Sequence, residues 1–590
     1  MPFLRFPDAS MRRLLSVTCG LFLMLPAAVH AGYRVEIDAP GSLEPLLASY
    51  LEIMKWRDYP EMTTEQLERL YQGIPADVQS LTATQGYFRP EVQTHWQHGE
   101  SGGEDVISIT VSDGPPVLVG SVDLTLAGAI EDDPYLERRR QRLYRVWTLN
   151  DGDRFTQSGW DDSKKAALLT LLARRYPTAK LVSSEALIDP ASGNARLSAR
   201  WDSGPAYFFG PLKVKGLYNY PPAIVEWLAG FHEGDVYSQR ALLDFQSALQ
   251  NTPYFSSVFV RLDSDPDTAA AAPVEVDLTE GPQQKVSFGL GYSTNTGERG
   301  EVSWRNVNLF QRGWILDAGV RLESKEQRAG AELTLPLDSK GYVWNGVVRY
   351  ERSDIQGLDT SLYRYAVSRS RNRNNIEMST GLTYIGERAR ISGQPDSNTQ
   401  ALMLGWSWSQ RAVDNPLNPR RGYTWRSELS GAAKGVLSDT SFVRGYAKGV
   451  LYIPFSPRWG WSILRGEVGE VFASDGDQVP NDVLFRTGGA GSVRGYAYQS
   501  LGVEEGGAVL GGRVLGVASA EYLYPVTPKW AAAVFVDAGN AARRWQDFRF
   551  AVGYGVGARW ASPVGPLGLD LAYGVDARQA RLHFTLDVSF

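Results

Sequence analysis

From Lys285 to Phe590 apolar and polar residues exchange places with a period of two, in segments of ten to fifteen residues separated by turn signals. The last segment, "LHFTLDVSF", is the clearest. Leu582, Phe584, Leu586, Val588 and Phe590 fall on one side of an extended chain, and His583, Thr585, Asp587 and Ser589 on the other. Sixteen such segments can be set out, with starts near 284, 299, 313, 327, 341, 361, 375, 398, 421, 440, 458, 512, 529, 548, 565 and 580. An even number of short alternating strands predicts an antiparallel sheet closed as a transmembrane β-barrel. The nine residues of the last segment, at about 3.3 Å each and tilted by about 45°, climb about 21 Å, close to the apolar band of such a barrel. A soluble sandwich alternates too, so the distinction rests on membrane signatures elsewhere in the chain.

Before Pro282 the period lengthens to that of helices. "TTEQLERLYQGI" (63–74) opens with a Thr–x–x–Gln capping pattern, and "YSQRALLDFQSALQ" (237–250) carries Leu242, Phe245 and Leu249 at helical spacing. Three stretches repeat one theme: "ISITVSDGPPVLVG" (107–120), "ARLSARWDSGPAYFFG" (195–210) and "VEVDLTEGP" (274–282) each run an alternating strand into Gly-Pro. A strand, two helices and a further strand precede each. The pattern predicts three small α+β domains of βααββ order, each of roughly 75–90 residues, at 32–114, 115–205 and 206–282, and a barrel over 283–590.

The first residues add an address. Arg12 and Arg13 precede the apolar "LLSVTCGLFLMLPAAV" (14–29), and "VHA" offers small residues for cleavage after Ala31, so 1–31 reads as a secretory signal peptide with Met11 as a second candidate start. The sole cysteine, Cys19, lies inside it, and neither disulfide nor thiol chemistry is expected. Beyond residue 31 no apolar run approaches the ~18–20 residues of a spanning helix, which leaves a closed barrel as the way to cross lipid. The 28 tyrosines and 17 tryptophans suit a membrane boundary. A net charge of −6, without a basic stripe, argues against nucleic acid as a partner.

One connection is far longer than a hairpin needs. Between the eleventh and twelfth predicted strands, roughly Ala473 to Gly511, lies "GGAGSVRGYAYQSLG" (488–502), and long loops of this kind tend to be functional. Downstream, "FVDAGN" (535–540) places Phe535, Asp537 and Gly539 on one face and Val534, Val536 and Ala538 on the other. If the valines face lipid, Asp537 points into the lumen. "GYGVGARW" (553–560) likewise puts Gly553, Gly555, Gly557 and Arg559 on one face. That glycine series marks a bend in the wall, clearance for an inward loop, or both.

The three small units resemble POTRA domains. "VRGY" (Val493, Arg494, Gly495, Tyr496), the Phe–x–Asp–x–Gly of Phe535, Asp537 and Gly539, and the Pro-rich turn "DNPLNPRRGY" (414–423) resemble the POTRA-plus-barrel outer-membrane insertase superfamily that includes BamA. Three units before sixteen strands is most similar to its TamA branch. BamA-like members carry five units, and two-partner secretion transporters carry two, usually behind a plug helix. The resemblance implies that the loop folds into the barrel and that Arg494 contacts the acidic residue on the wall, Asp537. A guanidinium grips a carboxylate with two bonds, while desolvation offsets much of the attraction, so the pair is expected to fix the loop's position more than to add net stability. The resemblance further implies a seam between the first strand, carrying Gly289 and Gly291, and the last, carrying Phe584 and Phe590. There, unfolded β-barrel or autotransporter clients would enter the outer-membrane lipid. The implied partner is a TamB-like, inner-membrane-anchored protein that spans the periplasm, where the POTRA-like units would lie. The alternative within the superfamily is a two-partner-type polypeptide export pore.

An outer-membrane enzyme is the competing class, and its chemistry is hard to assemble from this chain. Of five histidines, His30 falls in the signal peptide. His95 and His98 are spaced by three along an apparent strand, on opposite faces, a poor metal site. Ser492 lacks a Gly–x–Ser–x–Gly elbow, and no phosphate-binding helix follows the glycine series. No enzyme activity, metal or cofactor is expected.

Overall fold

The computed structural model describes residues 33–586 apart from 58, 60, 61, 100–103, 457, 475–477, 563 and 564. The expected signal peptide, and Phe590 of the expected seam, lie outside the described residues. The chain separates into two compact units at Tyr207/Phe208.

Two α+β domains make up the first unit. In the first domain Tyr33–Asp38 runs parallel to Asp105–Ser112, which also pairs antiparallel with Glu91–Gln97. The helix Thr64–Ala83 begins at the expected cap: Thr63 Oγ1 accepts the Gln66 amide at 3.3 Å, and Gln66 Oε1 accepts the Thr63 amide at 2.9 Å. It continues past Gly73 and through Pro75 to Ala83. Proline removes one intrahelical bond, but Ile74, Val78 and Thr82 lie buried along the same stripe, and their burial against Leu47, Ile107 and Ile109 carries the helix onward.

The second domain repeats the plan with Leu118–Ala127, Asn194–Asp202 and Lys180–Asp189. Trp147, Trp160 and Trp201 meet edge to face in its core. The Gly-Pro turns use glycine because Gly114 and Gly204 sit at φ +65° and +61°, where a Cβ would come 2.7 Å from the Arg89 carbonyl and 2.5 Å from Thr178 Oγ1. Beside the tryptophans the Asp133 carboxylate is buried. It accepts the Tyr135 amide at 2.9 Å, the Tyr176 hydroxyl at 2.9 Å and Arg139 Nε at 2.7 Å. Burial pushes this carboxyl upward, but those three donors outweigh it and hold the group below the ordinary carboxylate range. Burial, and next the bond to Asp133, push the Tyr176 hydroxyl up to about 12.

The second unit joins a third α+β domain to the barrel. Phe209–Lys215 lies parallel to Ala272–Glu280, with Phe255–Leu262 on the other side. Leu242, Phe245 and Leu249 of helix Gln239–Gln250 are buried, as their spacing predicts. This domain is bonded to the turn between the second and third barrel strands: Tyr254 donates to the Gly313 carbonyl at 2.8 Å, and Asn308 Nδ2 to the Asn219 carbonyl at 2.9 Å.

Sixteen strands then follow in unbroken antiparallel order from Gln284–Ser293 to Gln579–Leu586. Each begins within three residues of its expected start, the largest offsets being Leu358 against 361 and Ala551 against 548. In the thirteenth strand, Trp530–Ala542, Val534 and Val536 are 53% and 47% exposed while Phe535 and Asp537 are buried. The outer face elsewhere exposes residues such as Val320, Val348, Val367, Leu382 and Leu404. A continuous apolar exterior of this kind needs lipid rather than water around it. Among the described residues no helix is long and apolar enough to cross a membrane. Inward-facing arginines and acids pair across neighbouring strands, as in Arg321 with Glu301 at 2.9 Å and Arg328 with Glu351 at 2.9 Å. The barrel is nearly closed: among the described residues no ladder joins the last strand to the first.

Asp133 gives the first prediction. Because folding depresses its pKa, its stabilisation is full above the unfolded value of about 3.9 and is lost as pH falls through the lower folded value. Urea unfolding of the second domain, followed by tryptophan fluorescence, should show Asp133→Asn less stable than wild type at pH 7. The gap between the two should narrow steadily below about pH 4. A gap that stays constant with pH would contradict the assignment.

Candidate functional site

The loop between the eleventh strand, Gly460–Ala473, and the twelfth, Val514–Pro525, does not stay outside the barrel. Around the motif, three glycines adopt backbone that other residues resist: Gly488 at φ +103°, Gly489 at +101° and Gly495 at +93°. They fold the chain back on itself, and Val493, Arg494 and Tyr496 become buried. Val493 and Tyr496 enter an apolar cluster inside the barrel with Phe485, Leu515, Val517, Ala541 and Ala551. The lumen at this level is a packed core.

Arg494 reaches the wall from this turn. Its Nε and Nη2 donate to the two Asp537 oxygens at 2.7 and 2.8 Å, a two-pronged grip, and its own amide donates to Asp537 at 3.1 Å. Nη1 donates to Glu521 at 2.8 Å and to Asp570 at 3.2 Å. The guanidinium carbon stands 3.4 Å from the centre of the Phe535 ring, so the motif phenylalanine floors the site. Ser519 donates to Asp537 at 2.6 Å. Two further guanidiniums complete the cluster. Arg559 bonds Glu521 at 3.0 Å and Asp570 at 2.6 Å, and Arg465 bonds Glu521 at 3.2 Å. Three cations thus face three anions, and the buried group is neutral as a whole. Arg494, Asp537, Glu521 and Asp570 are each no more than 3% exposed, and unpaired charges so placed would cost several kcal/mol each, on the order given for ions in protein interiors.

The alternation placed Asp537 and Arg559 on the inner face but did not single out Glu521, Asp570 or Arg465. Their signal in the sequence is one charged residue on the polar side of successive strands, which any lumen wall shows. A second anchor also went unread. Glu387 of the seventh strand, Ile376–Ile391, accepts the Asn481 and Asp482 amides at 2.9 and 2.8 Å, while Arg364 pairs with Asp482 at 2.5 Å.

The glycine reading needs correction. Of the fourteenth-strand series, Gly553 alone makes room for the loop: a Cβ there would strike the Arg494 carbonyl. At Gly555 it would meet Phe535 Cζ at 2.6 Å as well as the backbone of the next strand, and at Gly557 it would strike Asp570. Gly539 clears Gly516 and Val517 of the twelfth strand, not the loop. Those three make space within the wall. Beside the motif turn, Gly574 also makes room: its Cβ would come 2.7 Å from the Gly495 carbonyl.

At the seam, Phe584 is exposed on the outer face while His583 points inward and is 4% exposed. In the first strand Phe288 and Leu290 are 79% and 94% exposed. Gly291 has nothing within 4 Å of where a side chain would begin, so no close approach demands glycine there. Among the described residues no group of three or more histidines, cysteines or acids is placed to hold a metal ion. His98 faces Asp105 at 3.4 Å, and Ser492 accepts the Gly488 amide at 2.9 Å within its turn.

The description of the Omp85 superfamily domain matches residues 275–590, more than half of the chain and the whole barrel. The chain belongs to the Omp85 superfamily. Among solved structures, BamA from Haemophilus ducreyi lacking POTRA domains 1–3 is 17% identical, with a TM-score of 0.68 over 80% of this chain and 99% of that one. At this identity the likeness shows a shared fold. CdiB from Acinetobacter baumannii is 14% identical, with a TM-score of 0.45 over 87% of this chain and 96% of the other. Family and fold together make this an outer-membrane β-barrel of the Omp85 superfamily, preceded by three small α+β domains.

The cluster's energetics can be tested directly. Asp537→Ala should destabilise the barrel by about 3 kcal/mol, the lower end for breaking a buried pair, since Glu521 and Asp570 remain to Arg494. Arg494→Met combined with Asp537→Leu should cost less than Asp537→Ala alone. Thermal unfolding in detergent checks the order. A double variant worse than the single would contradict it.

Proposed function

We propose that this protein is a TamA-like assembly factor that inserts or translocates autotransporters and other β-barrel clients through the seam between its first and last strands. The observation that carries this reading is the unpaired edge. The first strand is bonded to the second along its whole length, yet its outer residues are largely uncovered and its other edge is free of ladder bonds among the described residues. Unpaired strand edges are templates on which an incoming strand adds, main chain to main chain. Gly289 and Gly291 raise the entropy cost of ordering the first strand, which favours exchange of its partner.

The domain count favours insertion over export: three α+β units precede the barrel, where two-partner transporters carry two, usually behind a plug helix. Inside the barrel Val493 and Tyr496 lie in a packed core, with a cavity of about 950 Å³ beside Arg494. Sheet edges in the α+β domains suit capture of extended clients and of a TamB-like partner. Val182 and Leu187 on edge strand Lys180–Asp189, and Phe259 on edge strand Phe255–Leu262, are all more than half exposed. In this reading those domains lie in the periplasm. Insertion draws on the client's own folding free energy and requires no cofactor or catalytic group in this chain.

Two experiments test the reading. A cysteine pair locking the first strand to the last should abolish autotransporter assembly in cells, with recovery on reduction; full assembly with the seam locked would exclude it. Arg494→Ala and Asp537→Ala cells should each lose most assembly activity. Full activity in both would remove the role assigned to the loop contact.

A further inference from the structure

The motif turn does more than hold the wall. Arg494, Gly495 and Tyr496 are consecutive, and each is bonded to a different part of the barrel's closing end. Arg494 binds the twelfth, thirteenth and fifteenth strands through Glu521, Asp537 and Asp570. The Gly495 amide donates to His583 Nε2 on the sixteenth strand at 3.0 Å. The Tyr496 hydroxyl donates to Asp576 Oδ2 at 2.9 Å and accepts the Asp576 amide at 3.1 Å, in the turn that leads into that strand.

Glycine is required at 495 for this reach. At φ +93° a Cβ would come 2.6 Å from the Gly574 amide nitrogen, so only a bare backbone lies flat enough on the fifteenth strand to present its amide to the sixteenth. The bond also fixes the chemistry of His583. A backbone amide can only donate, so Nε2 must carry the lone pair and the ring is neutral with its proton on Nδ1. Asp570 stands opposite His583 in the register. Arg494 Nη1 and both Arg559 Nη atoms already bond that carboxylate.

We propose that His583 is a positioning residue that latches the last strand to the loop tip, so that opening the seam on this side requires the tip to withdraw. Among the described residues the sixteenth strand has one ladder, to the fifteenth. Among those residues, the imidazole bond and, in the turn before the strand, the Tyr496–Asp576 pair add to what that ladder holds. The strand a client would displace is thus tied to the loop buried behind it, and the two move as one event. The inference rests on the seam reading above and adds the residue that governs one edge of it.

The test uses the full chain in lipid bilayers and hydrogen exchange of the segment 579–586. His583→Phe keeps an aromatic ring and removes the acceptor. It should speed exchange in that segment by roughly tenfold, the scale of one lost hydrogen bond, and should leave protease cleavage within 488–502 unchanged, since Arg494 still holds the loop. His583→Gln, whose amide oxygen reaches as far as Nε2, should restore protection to within about twofold, whereas His583→Asn, which reaches only as far as Nδ1, should not. Tyr496→Phe provides an independent arm should the histidine variants fold poorly: it keeps the ring in its apolar site, loses both bonds to Asp576, and should speed exchange in the same segment. Unchanged exchange in His583→Phe, or equal behaviour of the Gln and Asn variants, would overturn the latch. Client assembly is scored separately. A loosened strand with assembly unaffected by a locked seam would discard the lateral route and leave the latch standing.

Discussion

A guanidinium buried beneath a barrel wall must be met by carboxylates, and that requirement governs where the long loop lies. Arg494 cannot shed its proton, so in the lumen its charge has to be answered by geometry. Asp537 supplies the two-pronged answer, Glu521 and Asp570 take the remaining donor, and Arg559 and Arg465 balance the surplus of negative charge. A network so closed tolerates one position of the turn and few others. Its value is register, because the Coulomb gain is largely offset by the desolvation of six charged groups.

That fixed turn divides the barrel into a firm part and a loose one. On the firm side, the seventh strand anchors the loop's beginning through Glu387, the wall from the eleventh to the fifteenth strand holds its centre, and an apolar core fills the space between. On the loose side stands a first strand with, among the described residues, one ladder and a glycine-thinned face, and a last strand whose inner face is held by the loop itself. The architecture stores its openness at one place. A closed cylinder has no edge to offer, whereas among the described residues this one leaves its first and last strands unjoined beside a tether.

The strand pattern was legible because a lipid-spanning barrel imposes the same two-sided demand on every strand, and the period of two records it. Strand starts drifted by at most three residues, as at Leu358 and Ala551, where turns blur the ends. The helix through Pro75 was not legible, since its continuation depends on burial against a sheet far along the chain. Asp537 could be assigned to the inner face from its valine neighbours alone, but its pairing with Arg494 came from a family resemblance rather than from the alternation. Glu521 and Asp570 carried no such mark. The glycines misled for a related reason: a missing side chain announces a close approach without naming its partner, and at Gly539, Gly555 and Gly557 the partner is the wall itself. His583 looked like one more lumen residue because its role is set by an amide 88 positions away.

The central claim is that the tip of this loop is held inside the barrel by opposite charges. A pair of spin labels, one at Ser492→Cys in the turn and one on the inner mouth of the wall at Lys529→Cys, measures that most directly in bilayers. A single narrow distance distribution in the parent chain, broadened and displaced when Asp537→Ala is added, is the result the account predicts. A parent distribution already as broad as that of the variant would contradict it.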